Sequence, residues 1–154
     1  MKFNKKMLLV PILIIVDQIS KFLVLNFLTS EKIIIENFIS LNLVNNTGVA
    51  FGLNSGQNMT NNFIGILFIF IIVRFLISQK NNIDSKTEII IYMILAGGIS
   101  NLIDRIIRRA VVDFINVKNF SVFNIADIYI VVGWILFIIF LILYLNKDVK
   151  KIKE

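Results

Sequence analysis

Asp113 in the stretch VVDFI and Asp127 in FNIAD stand out because the chain contains no histidine and no cysteine. Histidine is the commonest general base and a common metal ligand, and cysteine supplies thiolate nucleophiles and disulfides. Without either, proton transfer falls to Asp, Glu, Lys or Tyr, and lipid attached to the chain's own cysteine is excluded. Two carboxylates brought together resist double ionisation, because the first charge raises the pKa of the second, and the pair then holds one proton in common. One member can accept a proton from water while the other donates to a carbonyl oxygen, a route to amide hydrolysis that needs neither metal nor nucleophilic side chain. The two aspartates are fourteen positions apart. Along one continuous helix that is about 21 Å, so they meet only if the chain folds back between them. The polar interruption NVKNFS, Asn116 to Ser121, permits the reversal. The plain alternative is a surface Asp113 and an Asp127 that caps a helix.

The elements that must position this pair are membrane spans. Of 154 residues, 57% are hydrophobic and 14 are Phe, which is too apolar for an ordinary soluble domain of this length. A span takes about 20 mainly apolar residues, and windows near 7–28, 62–79, 88–107 and 127–146 qualify. One Pro and seven Gly, with no repeat or low-complexity tract, predict a single integral-membrane domain over 1–154. The opening MKFNKKMLLVPILIIV is basic then apolar, without a small-residue cleavage pattern, and predicts an uncleaved first span. In the first loop, about 29–60, the β-branched runs of IIIENFISLNLVNNTGVAFG predict short strands, with Asn45, Asn46 and Gly48 as a turn-like cluster. The expected fold is an all-α membrane protein, four transmembrane helices with a small extracytoplasmic β-sheet from the first outer loop.

The net charge of +6 does not point to nucleic acid, because the basic residues flank the apolar windows. Lys2, Lys5, Lys6, Lys80, Lys86, Lys147, Lys150, Lys151 and Lys153 fall on one side, against Lys32, Arg108, Arg109 and Lys118 on the other. The positive-inside rule then puts both termini in the cytoplasm. Arg74 and Glu88 fall near cytoplasmic span ends, where long side chains reach the interface. The remaining intramembrane polarity gathers toward the outer side: Asp17 and Lys21, Asn101, Asp104 and Arg105, then Asp127. A charge at mid-bilayer costs about 2.5–3.5 kcal/mol on insertion scales and normally faces a bundle interior or wet cavity. Asp17 with Lys21, and Asn101 with Arg105, stand at helical i, i+4 spacing and so share faces. Interhelical glue, an ion path in a small proton- or ion-coupled transporter, and a structural subunit are the alternatives to catalysis.

Four blocks carry a resemblance. DQISK (Asp17 to Lys21), NNTGVAFG (Asn45 to Gly52), GGISNLIDRIIRRAVVDFI (Gly97 to Ile115) and FNIADIYIVVG (Phe123 to Gly133) are similar, in order, to the signature blocks of bacterial lipoprotein signal peptidase, also called signal peptidase II. The resemblance covers nearly the whole chain. It implies a four-helix aspartyl endopeptidase of the bacterial inner membrane, with its site near the outer leaflet. The implied substrate is a prolipoprotein carrying diacylglycerol on its lipobox cysteine, cut just before that cysteine. By position it implies Asp113 and Asp127 as the dyad, with Asp17, Lys21, Asn46, Asn101, Arg105 and Asn124 as the polar residues around it. Gly48, Ala50 and Phe51 belong to the outer-loop motif, and Gly98 to the third helix. Membrane lipid is an expected partner, globomycin-like cyclic peptides are expected inhibitors, the expected state is a monomer, and no cofactor or metal is expected.

From the residues themselves, Asn124 is suited to orient Asp127 or to hold substrate backbone with its amide, and a helix cap is the plain alternative. Asn46 is suited to fix the scissile backbone. Asn101 and Arg105 are suited to a peptide carbonyl or its oxyanion, and Arg105 equally to lipid phosphate. Asp104 points about 100° away from Arg105 and reads as a structural partner. The chain departs from the family's usual pattern at Val49, at Ile128, where a hydroxyl residue is common, and in a short inter-aspartate segment without Trp-Pro.

Overall fold

The computed structural model describes residues 5–48, 58–79 and 83–153, with side chains described for 5–48, 60–79 and 83–143. A single 3-10 turn, Lys5–Leu8, leads into α1 (Leu9–Phe27); α2 (Asn58–Ser78), α3 (Ser85–Arg108) and α4 (Ile125–Lys153) complete four helices long and apolar enough to cross a membrane. The protein is a multi-pass membrane protein. Helix α3 is the hub: 56% of its apolar window is buried, against 17%, 11% and 11% for α1, α2 and α4. The other three pack around it and turn residues such as Phe22, Phe70 and Leu143 outward, the surface that hydrocarbon covers.

Lipid is as apolar as leucine, so helix association in a membrane depends on close packing, and small residues allow it. The α3–α4 seam shows this. A Cβ placed on Gly97 would lie 2.5 Å from the Ala126 carbonyl oxygen, and one on Gly133 would lie 2.5 Å from Ile94 Cγ1. Ile72 of α2 and Ile90, Ile91, Ile94 and Leu95 of α3 form the apolar core, against which Val10 of α1 and Leu136, Phe137 and Phe140 of α4 also pack. Both ends of α3 are defined by its own residues. Asp84 caps the start by accepting from the Lys86 and Thr87 amides at 2.8 and 3.1 Å. Arg109 closes the other end with φ 62°, its N–H bonding the Arg105 carbonyl, and the chain turns directly into a strand.

That strand enlarges the expected sheet. β1 (Lys32–Ile35) and β2 (Ile39–Asn46) come from the first loop as predicted, but β3 (Val111–Val117) and β4 (Val122–Phe123) come from the connection between α3 and α4. All four pair antiparallel in the order β1-β2-β3-β4. Asn37 and Asn119 take positive φ at the two hairpin turns, a conformation asparagine tolerates. The predicted Asn45–Asn46 turn is corrected: these residues end β2, paired with Val112 and Val111, because cross-strand hydrogen bonding and an Asn46 side-chain bond outweigh their turn preference. Gly48 follows, its amide bonding Asn46 Oδ1 at 2.9 Å. The sheet sits at the end of the bundle where α3 stops and α4 starts.

Candidate active site

The β3–β4 hairpin is the reversal that the two aspartates need. Asp113 lies mid-strand in β3, opposite Val44 of β2, and Asp127 lies in the first turn of α4. Asn124 immediately precedes α4, where it both orients Asp127 and caps the helix. Its Oδ1 accepts from the Asp127 amide at 2.9 Å, while its own amide donates to Asp127 Oδ2 at 3.2 Å, the reciprocal pattern of a capping box. Its Nδ2 is left to donate to Asp113 Oδ1 at 2.7 Å and Asn101 Oδ1 at 3.1 Å. One fully buried side chain therefore starts the helix and touches both aspartates' surroundings.

Each carboxylate has a second amide donor from another element. Asn46, ending β2, donates to Asp113 Oδ2 at 2.9 Å, and Asn101, on α3, donates to Asp127 Oδ1 at 2.8 Å. Burial pushes the Asp113 carboxyl up to about 6; the Asn46 amide works against this by stabilising the ionised form, and the nearby Asp127 charge adds to it.

Behind the aspartates lies a second, fully buried layer of charge. Lys21 Nζ has three donors and meets three acceptors: Asp17 Oδ2 at 2.7 Å, Asp104 Oδ2 at 2.8 Å and Asn101 Oδ1 at 2.9 Å. Asp17 also accepts from Ser100 Oγ at 2.6 Å and, through Oδ1, from the Ala126 amide at 2.8 Å in the first turn of α4. Asp104 bonds Arg108 and accepts from the Val112 amide at 3.2 Å, so it joins α1, α3 and β3. Lys21 lies between Asp17 and Asp104, and Arg108, partly exposed at the edge of the layer, gives Asp104 a second cationic partner. Through Asn101 this layer fixes the amide that holds Asp127.

Of the outer-loop residues, Gly48 offers its carbonyl to Arg105 Nη2 at 3.2 Å, whereas Ala50 and Phe51, with Val49, lie outside the described residues. Gly98 lines the cavity beside Phe68. Sequence reading passed over Gln18 and Ser100 and counted Arg108 only as an outer-side charge, whereas it is the last residue of α3. Gln18 Nε2 donates to Ser100 Oγ at 3.0 Å and Asp104 Oδ1 at 3.0 Å, and Arg108 Nη1 donates to Gln18 Oε1 at 3.1 Å. Their signal was present: positions 100, 104 and 108 form one polar stripe at i, i+4 spacing along α3.

A cavity of about 600 Å³ opens over the two aspartates. Its polar end holds Asn46, Asn101, Arg105, Asp113 and Asp127, and its walls are apolar side chains of α2 and α4, among them Phe68, Ile128 and Val131. A volume in the range of small-molecule and peptide sites, with most of its polar lining gathered where two carboxylates converge, suits an extended chain with apolar flanks. Ile128 contributes wall there and no hydroxyl.

The chain is similar to known proteins over most of its length. Residues 9–143 match the family described as Signal peptidase (SPase) II. Lipoprotein signal peptidase of Borrelia hermsii is 36% identical over 154 aligned positions, covering 89% of each protein. That of Clostridium novyi is 38% identical, with 84% of this chain and 91% of the relative covered. Among solved structures, a bacterial membrane enzyme determined by the in meso method at 2.3 Å is 28% identical with a TM-score of 0.81, covering 95% of this chain and 90% of the other. With the four apolar helices, the added sheet and the paired aspartates already described, the match over 9–143 means that this chain belongs to the signal peptidase II family of peptidases.

Proposed function

We propose that the protein is an aspartyl endopeptidase that removes the signal peptide from diacylglyceryl-modified prolipoproteins, cutting before the lipidated cysteine. The observation that carries this reading is that Asp113 and Asp127 line one groove, each held by its own asparagine donor and joined by Asn124. The pair holds one proton between them, as close carboxylates do. The ionised member takes a proton from water as the water oxygen bonds the scissile carbonyl carbon, and the protonated member donates to the carbonyl oxygen. Arg105 supports that oxygen: its Nε is buried and without a hydrogen-bond partner among the described residues. Collapse of the tetrahedral intermediate breaks the C–N bond, the cysteine nitrogen leaves with a proton from the pair, and the signal peptide retains a new carboxyl group. Asn46 fixes the substrate backbone beside Asp113. Asp17, Lys21 and Asn101 position the dyad without touching substrate chemistry, with the exception of the Asn101 face that lines the groove.

The chain is a single integral-membrane domain of the bacterial cytoplasmic membrane, monomeric, with both termini cytoplasmic and the sheet end facing outward. The apolar groove walls suit membrane lipid, the acyl chains of the substrate and globomycin-like cyclic peptides. A small transporter finds no support in the family, and that alternative is set aside. Purified protein should cleave a diacylglyceryl-modified prolipoprotein before its cysteine and leave the unmodified precursor intact. Full cleavage by Asp113→Asn or Asp127→Asn would sink the dyad.

A further inference from the structure

A second cavity, of about 290 Å³, meets the first at Asp113. The two share Asn46, Asp113, Ser121 and Val122, so the end of β2, the middle of β3 and the start of β4 form a ridge between them. Their walls differ in origin. The first cavity is walled largely by membrane helices, whose Ile64, Ile128 and Val131 are 44%, 39% and 55% exposed toward hydrocarbon, with Val111, Phe120 and Phe123 of the β3–β4 hairpin closing its sheet side. The second has no helix residue in its lining; Val44, Asn45 and Thr47 complete it from β2 and the residues just after. Val44 is the cross-strand partner of Asp113, so the two side chains stand on the same face of the sheet.

A chain lying across the dyad therefore passes from a lipid-walled space into a sheet-walled one. On the function proposed above, the signal peptide and the acyl chains on the cysteine both belong in the lipid-walled space. The first side chain free of both is that of the residue following the cysteine. We infer that the second cavity is the subsite for this residue, that Val44 sets its depth, and that it selects for small side chains over large aromatic ones. The neutral polar groups of Asn45, Thr47 and Ser121 suit a segment bound for water.

The test uses the full chain in lipid and two diacylglyceryl-cysteine prolipoprotein peptides that differ only in having Ser or Trp after the cysteine. Wild-type kcat/KM should favour the Ser peptide by about tenfold or more, the scale of discrimination by pocket fit. Val44→Ala should narrow this ratio several-fold, by relieving the KM of the Trp peptide, and Val44→Leu should widen it. A ratio near one in the wild type overturns the inference. So does a change of the two peptides by equal factors in both variants, which is how mere disturbance of Asp113 would read. Wild-type protein that cleaves neither peptide overturns the peptidase reading and this inference together, whereas cleavage of both at equal rates removes the inference alone.

Discussion

A lysine meets a carboxylate in two regions of the bundle, and the two pairs have opposite consequences. Far from the sheet, Lys6 bonds Glu88 at 2.9 Å with side chains 35% and 20% exposed, and Ser85 and Tyr92 share the cluster. Near the sheet, Lys21 bonds Asp17 and Asp104 at 2.7 and 2.8 Å with all three side chains fully buried. Exposed pairs are screened by solvent and contribute little, since solvation of the separated ions is nearly as good. Buried charges have no such fallback, and removing one strands its partners. The same chemical pair is thus a dispensable tie at one end and a scaffold at the other, and burial alone makes the difference.

The comparison can be broken in graded steps. The largest effect should come from Asp113→Asn or Asp127→Asn, with kcat lowered on the order of a thousandfold, in the middle of the range for general acid–base groups. Because each substitution keeps the shape, thermal denaturation in detergent should show a folded protein, which separates chemistry from scaffold. Next comes Lys21→Met. It leaves Asp17 and Asp104 buried without their shared cation and should lower stability by about 3–5 kcal/mol, with activity lost alongside; a variant as stable as wild type would show that the buried layer is no scaffold.

A smaller and more diagnostic effect is expected from pH. The fold favours protonated Asp113, so its contribution to stability is complete below the ordinary carboxylate range and is lost as pH rises through about 6. Ionising both aspartates also removes the proton needed at the carbonyl, so kcat/KM should fall across the same interval. Asn46→Ala removes a donor that stabilises the ionised form and should move that limb to higher pH; an unmoved limb would detach Asn46 from the titration. The smallest effect belongs to Lys6→Ala, which should cost less than about 1 kcal/mol and leave cleavage rates unaltered. Loss of activity there would erase the contrast between the two ends.

Much of this arrangement was legible in the sequence, for definable reasons. The four spans follow from apolar length, and the aspartates stood out once His and Cys were absent. The pairing of Asp17 with Lys21 follows from helical spacing. Strand β3 was harder, because VVDFINV is a short apolar run whose identity as strand depends on finding β2 as a partner, a contact between residues 67 positions apart at Asn46 and Asp113. Asn46 read as a turn for the same reason: local preference was visible and its distant partner was not. Gln18 was missed, and Arg108 read only as an outer-side charge, because each is an ordinary polar residue until Asp104 is seen buried between them.

The bond from Asp17 to the Ala126 amide has a consequence in time. It ties the first span to be synthesised to the start of the last, and Asn124 cannot hold both aspartates until that start is in place. A partly made chain carries Asp113 with neither its partner nor its clamp. On the proposed function, the growing polypeptide is then inert toward its neighbours in the membrane, and cutting begins only once the final helix has docked.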